Sequence, residues 1–303
     1  MSVPMKSKLL FFFLFLTVIS YGQQTPGSVR CGTSEVNAEL HSKSAEVKAE
    51  YLAFQFKSGM ANYLHYKPLN NETIIIPVVF HVYGNSFLGK SVTVGLIQNA
   101  IENVNQDFSG MNDDFETVDP MFQSIRGTMN IQFKLAQIDP DGNVTSGVVF
   151  HPDNDGFASS NETKNDEIQE DAWDNYSYMN VYIQEDLFGD GVTNNSGVAW
   201  YPSTYLSDQN LARVVYNGAY LSTNTSKEFA SVLTHEFGHW LNLIHPFEGG
   251  CEGTDEVDDT PQEDGYHTLG CSLGTNCEGT FVNYENYMGY NGAYGCYKMF
   301  TQG

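Results

Sequence analysis

The fold class that this chain predicts is α+β, a mixed β-sheet with helices packed against it, and two observations predict it. Segments with strand patterns at 73–83, 129–143, 179–185 and 196–202 share the middle of the chain with a helical segment at 92–110. Four of the five cysteines then fall in the C-terminal fifth, which sets that region apart in composition from the part that contains the strand patterns.

Each element follows from its residue pattern. Residues 73–83, TIIIPVVFHVY, form the unbroken apolar run of a buried strand, whereas 92–110 repeats apolar residues at helical spacing. Residues 129–143 alternate apolar and polar side chains and then reach an Asp-Pro-Asp-Gly turn. The polar stretch 153–177 is predicted to be a loop that contains one helix.

The N-terminus has the features of a secretory signal peptide, which we assign to residues 1–22. Lys6 and Lys8 precede the apolar run 9–20, and small residues stand before the predicted cut at Gln23. This run is too short to anchor the chain in a bilayer. We therefore expect a secreted or periplasmic protein without stable membrane insertion.

The segment that follows differs from the rest of the chain. Residues 34–66 are rich in alanine, glutamate and lysine and lack proline, so they are predicted to be helical. Pro68 and the pair Asn70 and Asn71 mark a boundary ahead of the first strand.

The composition limits the class of partner. The chain has 37 Asp and Glu residues against 14 Lys and Arg residues, a formal net charge of −23. Such a field repels nucleic acid and anionic membranes and favours cations, including calcium, and basic partners. Solubility alone would also explain the charge.

In the oxidising compartment that an exported protein enters, cysteines are expected to form disulfides. Cys251, Cys271, Cys277 and Cys296 predict two disulfides with three possible pairings. A zinc site of four thiolates is the alternative, which is disfavoured because the paired Cys-x-x-Cys spacing of such sites is missing. Cys31 stands apart and needs its own explanation.

The most informative stretch is HEFGHWLNLIH at 235–245. A capping box from Thr225 to Glu228 is predicted to start a helix, on which His235 and His239 lie one turn apart on one side. Two imidazoles at this spacing suit a tetrahedral zinc ion.

Glu236 follows the first histidine and falls on the apolar stripe of the same helix, between Val232 and Trp240. A carboxylate at such a position has a desolvation cost and needs a role to explain it. Next to a zinc-bound water it can accept a proton while the water attacks a carbonyl carbon.

A third histidine, His245, lies ten positions after His235. A straight helix would carry it away from the metal, so the chain must leave the helix near residue 242. Such a turn needs a left-handed residue, normally glycine, and asparagine tolerates that conformation next best. We therefore expect Asn242 to close a three-histidine site. The alternative third ligand is Glu263, in a loop-like sequence.

The histidine stretch and the later NYMGY at 286–290 resemble the long zinc motif and methionine turn of the metzincin metallopeptidases. More narrowly, the chain resembles the pappalysin group and its cytophagalysin branch. The likeness runs along most of the chain and is carried by shorter segments at 30–40, 74–84, 96–108, 197–202 and 255–262. Asn242 is the chief departure from the family motif.

The resemblance implies roles for individual residues. Glu236 would be the general base, Met288 would form the turn beneath the metal, and Tyr290 would assist the oxyanion, with packing as its alternative role. The zinc ligands would be His235, His239 and His245.

The resemblance also implies an architecture. A mostly parallel sheet and the zinc helix would form an upper subdomain at 71–245, and an irregular, disulfide-bonded lower subdomain would follow at 246–303. Substrate would lie extended along an edge strand, for which 196–202 is our candidate, so protein or peptide substrates are expected.

The family resemblance also implies a role for Cys31. A prosegment cysteine in related proteins binds zinc and displaces the catalytic water, and the sequence from Arg30 to Thr33 resembles that switch. Residues 23–70 would form an inhibitory prosegment, with Lys57 and Lys67 as candidate cleavage points. The alternative is a spare thiol that forms an intermolecular disulfide.

The acidic run with Asp255, Asp258 and Thr260 resembles a structural calcium loop, and oxygen ligands crowded into a turn suit calcium. A solvated acidic loop is the alternative, and the turn at 186–191 is a weaker calcium candidate. The disulfides that the resemblance implies are Cys251–Cys277 and Cys271–Cys296.

The function we expect is that of a secreted, latent zinc endopeptidase with its own prosegment as inhibitor and no nucleic-acid partner. A non-catalytic metal-binding or adhesive protein, which would not need Glu236, and a zinc hydrolase of small amides remain open. The chain ends fifteen residues after Met288, where relatives continue into a helix, so we expect an incomplete C-terminal part. Its oligomeric state is not predicted.

Overall fold

A computed structural model of the chain describes residues 31–63, 72–159, 162–263, 271–290 and 296–303. Several positions singled out above lie outside these ranges, namely the signal peptide at 1–22, Arg30, Lys67, Pro68, Asn70 and Asn71. Within the described ranges, no helix is both long enough and apolar enough to cross a membrane.

The regular elements alternate along the chain. The helices are α1 (Thr33–Lys43), α2 (Ala45–Tyr63), α3 (Val94–Ser109), α4 (Glu162–Asp171), α5 (Thr204–Asp208), α6 (Lys227–Ala230) and α7 (Val232–Trp240). The strands are β1 (Ile74–Tyr83), β2 (Ser86–Phe87), β3 (Lys90–Ser91), β4 (Arg126–Gly127), β5 (Ile131–Leu135), β6 (Val148–His151), β7 (Met179–Gln184), β8 (Gly197–Ala199), β9 (Val214–Asn217) and β10 (Phe300–Thr301).

In the described part of the chain, the main sheet has six strands in the order β5-β1-β7-β9-β8, with β6 paired to the second half of β1. The pairs among β1, β5, β6, β7 and β9 are parallel, whereas β8 lies antiparallel to β9 at one edge. The mixed, mostly parallel sheet with packed helices that the sequence predicted is confirmed.

The predicted elements correspond to β1, α3, β5, β7 and β8, and α4 is the helix expected within 153–177. The helical segment predicted at 34–66 is divided, because Ser44 is extended and separates α1 from α2. The strands β6 and β9 were missed because apolar runs of four residues carry little periodicity.

The start of the zinc helix is also corrected. The capping box predicted from Thr225 to Glu228 was wrong by one residue, since the side chain of Ser226 accepts a hydrogen bond from the Phe229 N–H at 3.3 Å. This cap starts the short helix α6. His235 and His239 are on a separate helix, α7, which begins after Ser231.

The main core lies between α3, α7 and one face of the sheet. Aromatic rings connect these layers, because Phe133 on β5 packs edge-on against Phe108 of α3 at 5.2 Å and against Phe237 of α7 at 4.8 Å between ring centroids. A second core contains Val198 of β8 together with Val36 of α1. The N-terminal helical segment (residues 31–63) therefore shares a core with the sheet.

The chain after His245 has little regular structure in its described residues. The disulfides in the structure are Cys251–Cys277 and Cys271–Cys296. Strand β10 pairs antiparallel with β4, and the ring of Phe300 packs against Phe108 at 4.8 Å between centroids. The irregular part is thus fastened to the core beneath α3.

A buried carboxylate, Asp107 on α3, joins this core to the zinc helix. It accepts a hydrogen bond from the Thr234 hydroxyl at 2.6 Å and another from the Tyr287 hydroxyl at 2.9 Å. Burial raises the pKa of Asp107 to about 6, although both hydrogen bonds favour its charged form. One side chain therefore fixes α7 and the turn at Tyr287 relative to α3.

Replacing this carboxylate should be costly. We expect Asp107→Ala to lower the free energy of unfolding by about 3 kcal/mol, because two buried hydroxyls lose their acceptor and each such loss costs about 1–3 kcal/mol. Urea denaturation followed by circular dichroism measures the change. The control is Asp113→Ala, which removes an exposed ion pair with Lys227 and should leave the midpoint unchanged. Equal midpoints for both variants would contradict the assignment.

Candidate metal centre

Three buried histidines converge on one point. His235 and His239 project from consecutive turns of α7, and the chain after the helix returns His245 to them. Their Nε2 atoms lie 2.9 Å apart for the first pair, 3.0 Å for His239 and His245, and 3.3 Å for His245 and His235.

Each of these rings is oriented through its other nitrogen. His235 Nδ1 lies 2.6 Å from the Tyr287 carbonyl oxygen, and His239 Nδ1 lies 2.7 Å from the Leu243 carbonyl oxygen. A carbonyl oxygen can only accept, so the ring proton is on Nδ1. Burial lowers the pKa of His235 to about 4 and that of His239 well below its ordinary value, which keeps both imidazoles neutral.

The His245 ring is oriented by a chain of two hydrogen bonds. The Ser34 hydroxyl donates to Glu248 Oε2 at 2.6 Å, so its oxygen is left to accept from His245 Nδ1–H at 3.0 Å. Burial also lowers the pKa of His245 well below its ordinary value. Three Nε2 lone pairs therefore face one another and need a cation between them.

The donor set fits zinc. Nitrogen ligands at the usual zinc distance and at tetrahedral angles lie about 3.3 Å from one another, close to the separations here. The sulfur of Cys31 joins the group, and the four ligand atoms all lie within 4.8 Å of one another. Among the described residues, these four form the one such group of His, Cys, Asp or Glu side chains.

Asn242 makes the turn that returns His245 to the site. Its φ is +79°, in the left-handed region, as its position in the sequence predicts. The Asn242 N–H bonds to the His239 carbonyl and the Leu243 N–H to the Gly238 carbonyl, both at 2.9 Å. These two bonds are a Schellman motif, which satisfies carbonyls at the end of α7.

The Asn242 side chain has a contact that glycine could not make. Gln55 Nε2 donates to its Oδ1 at 2.9 Å, and its own Nδ2 donates to Gln55 Oε1 at 3.3 Å. The departure from the family motif is therefore paired with a residue of the N-terminal helical segment.

Glu236 is fully buried beside the edge strand. Its side chain lies so close to Gly197 of β8 that a Cβ at that position would be 2.6 Å from Glu236 Cγ. Thr33 Oγ1 donates to Oε2 at 3.2 Å and Cys31 Sγ donates to it at 3.6 Å. Burial raises the pKa of Glu236 to about 8, against these two hydrogen bonds, which lower it.

Met288 and Tyr290 both pack against residues of this centre. Met288 packs beneath Gly238 of the zinc helix, where a Cβ would be 2.5 Å from its sulfur. The Tyr290 hydroxyl donates to the Cys31 carbonyl oxygen at 2.8 Å, and its ring centroid lies 4.9 Å from that of His245. A residue of the N-terminal helical segment thus engages the tyrosine.

Other candidates from the sequence are not part of this group. Glu263 is buried, its N–H donates to the Pro246 carbonyl, and it does not join the histidines. Asp255 is mostly buried with its pKa raised to about 7 by burial, whereas Asp258 is exposed. The Asp186 carboxylate accepts hydrogen bonds from turn N–H groups.

Sequence reasoning missed Thr33, Ser34, Glu248 and Asp107. Three of them act across contacts between residues more than one hundred positions apart, for which one sequence has no signal. Glu248 could have been suspected, because it lies three residues after His245 and carboxylates often orient ligating histidines.

The fold and the site define the class of this protein as a metzincin, a zinc-dependent metallopeptidase. A sequence profile of peptidase family M43, described as pregnancy-associated plasma protein-A, matches residues 162–303. The chain is 31% identical to a glutamate-to-alanine mutant of promirolysin from Tannerella forsythia, over 90% of each chain and with a TM-score of 0.72. It therefore belongs to this pappalysin family.

Further relatives of the chain are also metalloproteases. An extracellular metalloprotease of Verticillium alfalfae is 29% identical over 296 residues, which are 93% of this chain and 88% of that protein. Mature mirolysin from T. forsythia in complex with a cleaved peptide is 29% identical over 76% of this chain and 88% of that chain, with a TM-score of 0.63.

The turn at Asn242 can be tested separately from catalysis. We expect Asn242→Val to bind zinc about tenfold more weakly, since a left-handed residue with a branched side chain costs about 1–2 kcal/mol more. Asn242→Gly is the control and should bind zinc as the wild type does. Competition with a chromophoric chelator measures both affinities, and unweakened binding by the valine variant would refute this role.

Proposed function

We propose that this chain is a secreted, latent zinc endopeptidase. One observation carries the proposal: three neutral imidazoles present their Nε2 atoms to one point, beside a buried glutamate and the edge strand β8. Histidines that only filled a core would not need to face their lone pairs toward one another.

In this proposal His235, His239 and His245 hold the zinc ion. A zinc ion held there would act as a Lewis acid and lower the pKa of a bound water to about 7. Glu236 would accept a proton from the water at Oε2 as the water oxygen adds to the scissile carbonyl carbon, and would return that proton to the amine nitrogen as the C–N bond breaks. Burial raises the pKa of Glu236 and a zinc ion beside it would lower that pKa, so the carboxylate can both take up and release a proton.

Tyr290 would donate its hydroxyl to the oxyanion once it is released from Cys31. The substrate would lie along β8, where an extended backbone could pair with the N–H and C=O groups that removal of the N-terminal helical segment would expose. The cleaved peptide bound to mature mirolysin supports peptides as the substrate class. The names of the fungal relatives, which are extracellular metalloproteases, and the predicted signal peptide support secretion.

Latency is the second part of the proposal, with residues 23–70 as the prosegment, 71–245 as the upper subdomain and 246–303 as the lower subdomain. Cys31 would bind zinc as its fourth ligand, because its sulfur belongs to the metal-ligating group. Burial raises the pKa of the thiol, and a cation beside it has the opposite effect. Promirolysin aligns with 90% of this chain and mature mirolysin with 76%, which is the difference that a removable N-terminal segment would make.

The test compares intact and activated protein. The purified full chain, with its zinc content determined, is assayed on casein and on small amides before and after limited trypsin treatment at the candidate sites Lys57 and Lys67. We expect no activity before cleavage and activity after it. Glu236→Ala should keep its zinc and lose about 10²–10⁴-fold in activity, whereas the exposed Glu252→Ala should lose none.

The outcomes separate the alternatives. Zinc without hydrolysis of any substrate would favour a metal-binding or adhesive protein, and hydrolysis of small amides alone would favour a different zinc hydrolase. Protein without zinc would refute the metal centre itself. Cys31→Ser in the intact chain should gain part of the activity of the cleaved protein, and no gain would contradict a latency switch at the thiol.

We further propose that the loop from Asp255 to Thr260 binds calcium. Its support is the buried Asp255 carboxylate, whose pKa burial raises to about 7, because a cation would offset the cost of its charge. Calcium should raise the melting temperature of the wild type and leave that of Asp255→Asn unchanged. Equal effects on the two proteins would exclude this loop as the binding site.

A further inference from the structure

The side chain of Asn37, on helix α1, pairs with the main chain at the end of the edge strand. Its Nδ2 donates to the Ala199 carbonyl oxygen at 3.0 Å, and its Oδ1 accepts from the Tyr201 N–H at 3.1 Å. Asn37 itself is 2% exposed. In a parallel sheet, the N–H and C=O groups of one residue bond to the residues on either side of its partner on the neighbouring strand. The side chain of Asn37 bonds in this manner to the residues on either side of Trp200.

The other outward groups of the edge are also occupied. The Gly32 N–H donates to the Gly197 carbonyl oxygen at 3.2 Å, and Thr33 Oγ1 accepts from the Ala199 N–H at 2.9 Å. Each of the four main-chain groups from the Gly197 carbonyl to the Tyr201 N–H is therefore satisfied by the N-terminal helical segment. Its own main chain provides one of the four bonds, and side chains provide three.

Side chains provide most of these bonds because of the path that the chain takes. The segment pairs as a strand at Cys31, which forms a parallel bridge with Gly197, and becomes helical at Thr33. Beyond its first turn, a helix cannot offer its N–H groups to a sheet, since they bond within the helix. The amide of Asn37 takes the place of the peptide group that an extended chain would present.

A similar side-chain amide pairs with one residue of the strand at the opposite edge of the sheet, β5. Asn105 on α3 donates from Nδ2 to the Phe133 carbonyl oxygen at 2.9 Å and accepts from the Phe133 N–H at 2.8 Å. Unpaired main-chain groups at a sheet edge attract another chain, and a side-chain amide blunts that edge. Asn105 belongs to the catalytic body, whereas Asn37 lies on the segment that activation would remove.

From this juxtaposition we infer that Asn37 is a latency residue, whose amide stands in for the peptide group of a substrate and keeps the substrate-binding edge closed. It acts at Ala199 and Tyr201, separately from the thiol of Cys31 at the metal. The inference rests on the proposed function of this edge, because a closed edge matters only where a substrate has to pair with it.

Amide hydrogen exchange of the intact, zinc-loaded full chain measures the closure without any need for catalysis. In Asn37→Ala, the Tyr201 amide should exchange about tenfold faster, whereas the Ala199 amide, which bonds to Thr33, should keep its protection. Asn37→Asp retains an acceptor for the Tyr201 N–H and should therefore protect it better than alanine does. Cys31→Ser should leave the Tyr201 amide protected.

Asn105→Ala is the matched control, since it removes the same amide from the other edge. It should speed exchange at Phe133 and leave Tyr201 unchanged. Unchanged exchange at Tyr201 in Asn37→Ala would overturn the inference, and so would an equal rise in Asn105→Ala, because that would mean general loosening.

Activity measurements distinguish a failure of this inference from a failure of the proposed peptidase function. On a short peptide, the intact double variant Cys31→Ser, Asn37→Ala should be several-fold more active than intact Cys31→Ser. If Asn37→Ala exchanges the Tyr201 amide faster but no form of the protein hydrolyses any substrate, the closed edge is supported and the proposed peptidase is refuted. A proteolytic Cys31→Ser chain that gains neither exchange nor activity from Asn37→Ala would refute the inference and leave the peptidase intact.

Discussion

Three neutral imidazoles whose Nε2 atoms lie 2.9–3.3 Å apart cannot bond to one another, because each presents a lone pair. Such a cluster is stable only around a cation, and the chain must hold the rings in place for it. Each Nδ1–H therefore has a fixed acceptor, and the helix ends in a left-handed turn at Asn242. Much of the surrounding structure can be understood as support for these four features.

The three acceptors come from different parts of the chain. Tyr287 belongs to the irregular part that follows the zinc helix, Leu243 to the turn itself, and Ser34 to the N-terminal helical segment. The metal centre is consequently the place where these parts meet. Asp107 strengthens the junction, because it bonds to the Tyr287 hydroxyl and to Thr234, next to the first histidine. Displacement of any one part would turn at least one ring.

The N-terminal helical segment contacts this centre mainly through polar side chains. Thr33 bonds to Glu236, Ser34 to His245, and Gln55 to the residue that makes the left-handed turn. Glu50 bonds to the Ser203 hydroxyl and the Thr204 N–H at the start of α5. The segment is extended only at Cys31, where it forms a parallel bridge with Gly197, and from Thr33 onward it covers the edge strand as a helix with polar side chains.

The sequence by itself determined the features that depend on local spacing. The positions of His235 and His239 on one helix face, the left-handed residue at 242 and the main strands all follow from periodicity and backbone preference within a few residues. Only the tertiary structure decided that His245 rather than Glu263 completes the group, and that Asn37 and Thr33 close the edge at Ala199. Those choices are made by hydrogen bonds between residues far apart in the chain, and the fold has to bring both partners together before either can be recognised.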